Sequence, residues 1–165
     1  MTVLDELLAD RRDDDLPPEA GLFDRFLGRW RIANRLFSAE TGEWTSSTAE
    51  WAFARILAGH GIQDVLIGVD GPWGTTVRTW DEEVGWRIVW FCPRASEHCV
   101  LHVVETDGDG IRLEGAQADG RPIRWEFTST APDRFAWDGW CSDDRGATWW
   151  HEQHMDANRQ SPATS

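Results

Sequence analysis

The chain has 165 residues, a formal net charge of −13 and a pI near 4.6. This length fits one domain with a substantial core, and the acidic balance argues against nucleic acid and anionic membrane surfaces as partners. No stretch approaches the roughly 20 apolar residues of a membrane helix, and the start, Met1-Thr2-Val3-Leu4-Asp5-Glu6, lacks the basic region and apolar run of a signal peptide, so a cytoplasmic location is expected.

In chain order, residues 3–12 read as a short amphipathic helix, broken by Asp13-Asp14-Asp15-Leu16-Pro17-Pro18. Residues 1–20 are expected to form a loosely held arm. Leu22-Phe23-Asp24-Arg25-Phe26-Leu27 carries apolar residues at helical spacing. From Gly28 onward the text alternates as strands do, near 29–37, 44–56, 62–69, 74–81, 85–92, 97–105, 111–117, 121–130, 134–142 and 147–157. The breaks are turn formers such as Thr41-Gly42, Gly59-His60-Gly61, Asp70-Gly71-Pro72, Asp107-Gly108-Asp109-Gly110 and Asp119-Gly120. These links favour an all-β fold, an up-and-down antiparallel barrel of about ten strands with a short N-terminal helix. The barrel is expected over 21–159 and a disordered tail over 160–165.

The chain holds twelve tryptophans and no tyrosine. Large rigid rings on alternating positions can line a barrel interior and stack on planar ligands. Trial registers separate the faces. Pairing Trp80 with Trp86 sets Arg78 opposite Ile88 and Thr76 opposite Trp90. Cys99 then meets Trp90, Leu101 meets Ile88 and Val103 meets Leu113. The Gly59-His60-Gly61 turn pairs Arg55 with Asp64 and Phe53 with Leu66, and the next loop can pair Leu66 with Arg78 and Asp64 with Trp80. In the last hairpin, pairing Phe135 with Met155 and Cys141 with Trp149 puts Trp137, Gly139, Trp149, His151, Gln153 and Met155 inside. Asp138, Trp140, Trp150, Glu152 and His154 then lie outside. The Asp119-Gly120 hairpin leaves open whether Arg124 or Trp125 faces inward.

The run Phe26-Leu27-Gly28-Arg29-Trp30 resembles the Gly-x-Trp opening of the calycin superfamily, the lipocalin and fatty-acid-binding barrels. The chain is more specifically similar to a bacterial domain-of-unknown-function group of such barrels. Val77-Arg78-Thr79-Trp80-Asp81, Gly85-Trp86-Arg87-Ile88-Val89-Trp90 and Trp137 with Ser142-Asp143-Asp144-Arg145-Gly146-Ala147-Thr148-Trp149 carry the likeness. The resemblance spans residues 22–159 and implies a ligand-holding barrel with no assigned reaction. Ser142-x-Asp144-x-Gly146-x-Thr148-Trp149 also fits the Asp-box of sialidase-type propellers. It occurs once here, so it reads as turn chemistry.

Charge inside a barrel must be paired or hydrated. Two arginines, Arg55 and Arg78, around Asp64 would leave one positive charge to hold a ligand anion. The alternative is a structural ion-pair cluster. His151, opposite Gly139 and flanked by Trp137 and Trp149, is a candidate proton donor or acceptor, or else a core histidine. Trp30, Trp80, Trp86, Trp90, Trp137 and Trp149 form the proposed aromatic lining, with Gln153 among its polar residues. Cys92, Cys99 and Cys141 lack framework spacing and read as small buried hydrophobes. No metal or other cofactor is expected. His98 and His102 face away from Cys92 and Cys99. His151 and His154, three apart on a strand, face opposite sides.

The leading expectation is binding of a small, mostly apolar or aromatic molecule, with an Arg55/Arg78, Asp64 and His151 polar anchor. The alternative is a cofactor-independent cyclase, isomerase or dehydratase acting on a small metabolite of natural-product biosynthesis. There Asp64 or His151 would move the proton. A haem-binding barrel using His151 or His154 is a third reading. Trp140 and Trp150 on the outside are a candidate homodimer patch.

Overall fold

The computed structural model describes residues 3–161. Its ten strands are β1 (Gly28–Ser38), β2 (Glu43–Ile56), β3 (Gly61–Gly68), β4 (Gly71–Asp81), β5 (Gly85–Cys92), β6 (Glu97–Asp107), β7 (Gly110–Ala116), β8 (Pro122–Ala131), β9 (Arg134–Cys141) and β10 (Trp150–Arg159). Each is antiparallel to the next, and β1 closes on β10, so no strand edge is left unpaired. The only α-helix among the described residues is α1 (Val3–Leu7). No described helix is long and apolar enough to cross a membrane. Of the expected disordered tail, residues 162–165 lie outside the described residues.

One end of the barrel is plugged by the segment leading into β1. Two short 3-10 turns, Pro18–Gly21 and Asp24–Phe26, drop Ala20, Phe23 and Phe26 into the core. Phe26 packs against Phe127 at 4.6 Å and Phe135 at 4.9 Å between ring centroids, and Phe23 meets the Trp86 ring edge-on at 4.9 Å. Buried indoles complete the seal. Trp30 Nε1 donates to the Phe26 carbonyl at 2.6 Å and Trp86 Nε1 to the Glu19 carbonyl at 3.1 Å. Arg159, on the last strand, lies 4.0 Å over the Trp30 ring and donates to the carbonyls of Leu27 and Arg25. Gly28, at φ 107° where a side chain would be strained, lets the chain turn from plug into strand.

The central registers are those expected. Trp80 faces Trp86, Thr76 faces Trp90, Trp90 faces Cys99 and Val103 faces Leu113. Leu113 pairs with Trp125 and Glu114 with Arg124, so Trp125 is the inner residue of β8. Elsewhere the registers slip by an even number, which keeps each side chain on its face but changes its neighbours. Phe53, not Arg55, faces Asp64, because Leu57–Gly59 coils into a 3-10 turn and Ile56 pairs with Gly61. Asp64 faces Thr76 and Ile62 faces Arg78, because β4 takes in Gly71 and Pro72, residues that read as loop.

The last hairpin differs most. Trp137 faces Met155 and Phe135 faces Ala157, but a β-bulge falls between His151 and Gln153. The extra residue reverses the alternation. Beyond it, His151 faces Trp140 on the outer wall, while Glu152 lines the interior.

Candidate functional site

Above the plug, the barrel is hollow. A cavity of about 340 Å³ opens at the end away from Phe23 and Phe26, within the range of small-molecule sites. Its walls carry Trp51 from β2, Trp90 from β5, Trp125 from β8 and Trp137 from β9. These rings meet edge to face. Trp125 lies 5.4 Å from Trp137 at 64°, Trp90 lies 6.1 Å from Trp125 at 80°, and Trp51 lies 6.3 Å from Trp137 at 84°. Edge-to-face packing of rigid rings holds the walls apart, where branched aliphatic chains could fold inward. Leu66, Ile123 and Met155 fill the gaps between rings.

Three lining side chains bury a polar atom that has no hydrogen-bond partner within the protein. They are Thr76 Oγ1, Trp51 Nε1 and Trp137 Nε1, on residues only 1%, 4% and 5% exposed. Native interiors rarely leave such atoms unsatisfied, since each costs about 1–3 kcal/mol. Nearer the opening the lining turns acidic, with Glu97 and Glu152 beside Gln117 and Gln153. Glu97 accepts from the backbone N–H groups of His98 and Ala118. Glu152 accepts from the Cys141 thiol at 3.1 Å. Burial, followed by the Glu97 charge, pushes the Cys99 thiol up to about 12, and burial with Glu152 pushes that of Cys141 up as well. Both stay protonated and unreactive near neutral pH.

Of the residues singled out from sequence, Trp90, Trp137 and Gln153 line this cavity. Gln153 is held by its amide donating to Asn34 Oδ1 at 2.7 Å. Trp80 and Trp86 sit at the plugged end beside Leu22 and Glu19, lining a different depression. Trp30 is sealed beneath Arg159. Trp149 lies on the outer wall, with the Arg124 guanidinium 4.3 Å over its ring. Arg55 does not join Asp64. It pairs with Asp24 of the plug at 3.1 Å and donates to the Asp10 carbonyl.

Asp64 and Arg78 do pair, at 2.5 Å, with both side chains fully buried. Asp64 also accepts from the Thr76 backbone N–H at 3.1 Å. Arg78 lies over the rings of Phe23 and Phe53, while its Nε and Nη2 have no hydrogen-bond partner. Its charge is therefore balanced by Asp64 and by aromatic faces, with none left for a ligand anion.

His151 stands outside, not in the cavity. Its ring stacks on Trp140 at 4.4 Å and 20°, and its Nε2 lies 2.8 Å from Asp138 Oδ1. His154 Nδ1 lies 2.7 Å from the same oxygen, and its Nε2 lies 3.2 Å from Asp156. Burial disfavours the charged form of His154, but the hydrogen bonds and charges of Asp138 and Asp156 outweigh it and hold its pKa above the ordinary histidine value. Trp150 packs against the core and donates to Asp143 at 3.0 Å, so Trp140 and Trp150 do not form one exposed pair.

Sequence reasoning missed Trp51 and Glu97, placed Glu152 outside, left Trp125 open and set Thr76 opposite Trp90 without assigning it to the site. Trp51 is two positions from Phe53 and four from Arg55, both assigned inward, so alternation could have found it. Trp125 needed the β7–β8 register, and Glu152 needed the bulge.

No protein-family model matches the sequence, and no curated protein matches it. Among solved structures it is similar to the crystal structure of Rv2717c from M. tuberculosis. The two share 18% identity over 89% of this chain and 100% of that one, with a TM-score of 0.59. Looser overlays are with EF1p2_mFAP2b bound to DFHBI, at 15% identity over 86% and 99% with a TM-score of 0.41, and with a redesigned β-barrel, mFAP1, bound to DFHBI. The last has 18% identity over 87% and 100% and a TM-score of 0.39. The likeness to Rv2717c shows a shared fold and nothing of function.

Proposed function

We propose that the barrel binds a small, mostly apolar or aromatic molecule in the Trp51/Trp90/Trp125/Trp137 cavity. The observation that carries this is the cavity itself, about 340 Å³ and walled by the rigid rings of Trp51, Trp90, Trp125 and Trp137. The calycin-like resemblance implies the same use of the fold.

The charge of the lining narrows the class. Among the described lining residues the ionic groups are the carboxylates Glu97 and Glu152, and no Arg, Lys or His is present. The ligand is therefore a neutral or cationic planar molecule, not the organic acid that an arginine anchor would hold. Neither Asp64 nor His151, the residues considered for proton transfer, is among those lining this cavity. Asp64 is locked onto Arg78, and His151 is on the other side of the wall.

Tryptophan fluorescence during titration with planar neutral aromatics and aromatic amines tests the proposal. Saturable quenching is expected. Trp137→Ala, which removes a ring from the wall, should weaken binding about five- to tenfold, the worth of roughly 1 kcal/mol of lost ring contact. The absence of saturable quenching by every member of both classes, together with a crystal structure showing the cavity closed by side chains, would reject it.

A further inference from the structure

The histidines on the outer wall share a face only because of the bulge. At positions 151 and 154 on a regular strand they would point to opposite sides. The extra residue between His151 and Gln153 rotates His151 outward. It thereby joins His154 and Asp138, whose partner across β9–β10 is His154 itself. Bulges recur where a side chain must be re-aimed. Here two imidazoles and one carboxylate converge on one point, each offering a ligand atom, and all three atoms lie within 4.8 Å of one another.

We propose that Asp138, His151 and His154 form a divalent transition-metal site on the outside of the barrel, independent of the cavity within. His151 Nε2, His154 Nδ1 and one oxygen of Asp138 are the three protein ligands, and solvent completes the coordination. Two imidazoles with one carboxylate suit zinc, iron(II), nickel or copper, and not calcium or magnesium, which prefer all-oxygen sets. The geometry needs little change. Asp138 Oδ1 already stands 2.8 Å and 2.7 Å from the two ring nitrogens. Ligands each about 2.0–2.1 Å from a tetrahedral ion lie about 3.3 Å apart, so the cluster opens by roughly half an ångström and loses the two internal hydrogen bonds.

The surroundings resemble the supporting shell of a metal centre. His154 keeps its other nitrogen on Asp156 at 3.2 Å, the carboxylate–histidine arrangement that orients a ligating ring and raises its basicity. His151 is clamped by the stacked Trp140 and by the edge of Trp44 at 5.1 Å. The three side chains are only 17–30% exposed, so the ion would be partly shielded from water. Neighbouring charges are already engaged. Glu126, across from Asp138, is bound by Arg112, and Arg35, across from His154, lies over Trp44.

The test uses tag-free full-length protein, stripped with a chelator and dialysed against zinc. One zinc per chain is expected. His154→Ala and Asp138→Asn should each weaken binding about tenfold or more, while His98→Ala, far from the cluster on β6, should leave it unchanged. Cobalt(II) in place of zinc supplies a reading that needs no variant. Visible d–d bands without thiolate charge-transfer absorption support the site. Strong thiolate charge transfer would move the metal to Cys92, Cys99 or Cys141 and overturn it. Wild-type protein that retains neither metal would leave the cluster as a hydrogen-bonded network and equally overturn the proposal.

Discussion

Arg78 has the most demanding environment of any single side chain here. It is fully buried, bonded to Asp64 through one nitrogen and otherwise faced by Phe23 and Phe53. Burying two charges costs several kcal/mol per ion, which their attraction repays only when the pair is intact. Arg78→Met should therefore destabilise the fold by about 3–5 kcal/mol, because it strands the Asp64 carboxylate in the core. Asp64→Leu should strand Arg78 at similar cost. Combining the two should recover most of the loss, since an apolar pair of matching volume has no charge to solvate. Urea unfolding of the four proteins measures this as a double-mutant cycle. Two single losses that simply add in the double variant would show that Asp64 and Arg78 act separately. Alternation in the sequence was enough to put both residues on the inner face. It left open whether the charges cancel in a structural ion pair, as they do, or hold a ligand anion, because the choice depends on a register two to four residues away from the one the turns suggest.

The turns and bulges decide what each strand presents, and they were legible to different degrees. Short hairpins bounded by tryptophan pairs, such as Trp80 with Trp86, leave one sensible register, and the structure has it. Gly71 and Pro72 read as breakers yet lie inside β4, so the β3–β4 loop is shorter than composition implies. The bulge at Glu152 has no marker in the sequence, since neither glycine nor a turn former stands there, and it alone moves His151 from cavity to outer wall. By contrast, the turn before β10 announces its chemistry. Asp144 accepts from both the hydroxyl and the backbone N–H of Thr148 and from the hydroxyl of Ser142. These bonds, those of Thr148 foremost, hold its carboxyl down to about 2. A carboxyl depressed in the folded state stabilises the turn fully above its unfolded pKa, near 3.9, and loses that effect as pH falls toward the folded value. The Thr148 amide should therefore become less protected between pH about 4 and 2, and Asp144→Ala should show the acid-side protection already at neutral pH. Hydrogen exchange read by NMR follows this directly. Thr148 protection that stays flat across the window would mean that the backbone alone maintains the turn.

At the scale of the whole molecule, the barrel has unlike ends. The plug buries Phe23 and Phe26, ties Arg55 to Asp24 and caps Trp30 with Arg159, so the cationic side chains nearest the core are committed at the closed end. The open end carries Glu97 and Glu152 at the cavity lining, within a chain of net charge −13. A ligand entering there meets negative potential before it meets the tryptophans. For two probes with the same ring system, one ending in an amine and one in a carboxylate, the amine should bind at least about tenfold tighter. That ratio corresponds to about 1.4 kcal/mol, well within the roughly 3 kcal/mol of two unit charges about 6 Å apart at an effective dielectric near 20. Glu97→Gln and Glu152→Gln together should shrink the ratio severalfold with little effect on a neutral probe of the same shape. High salt should act in the same direction, since groups near the opening are within reach of counterions. Equal affinity for amine and acid would place the ligand's charged end out in solvent, and would leave stacking on the tryptophan rings as the main source of selectivity.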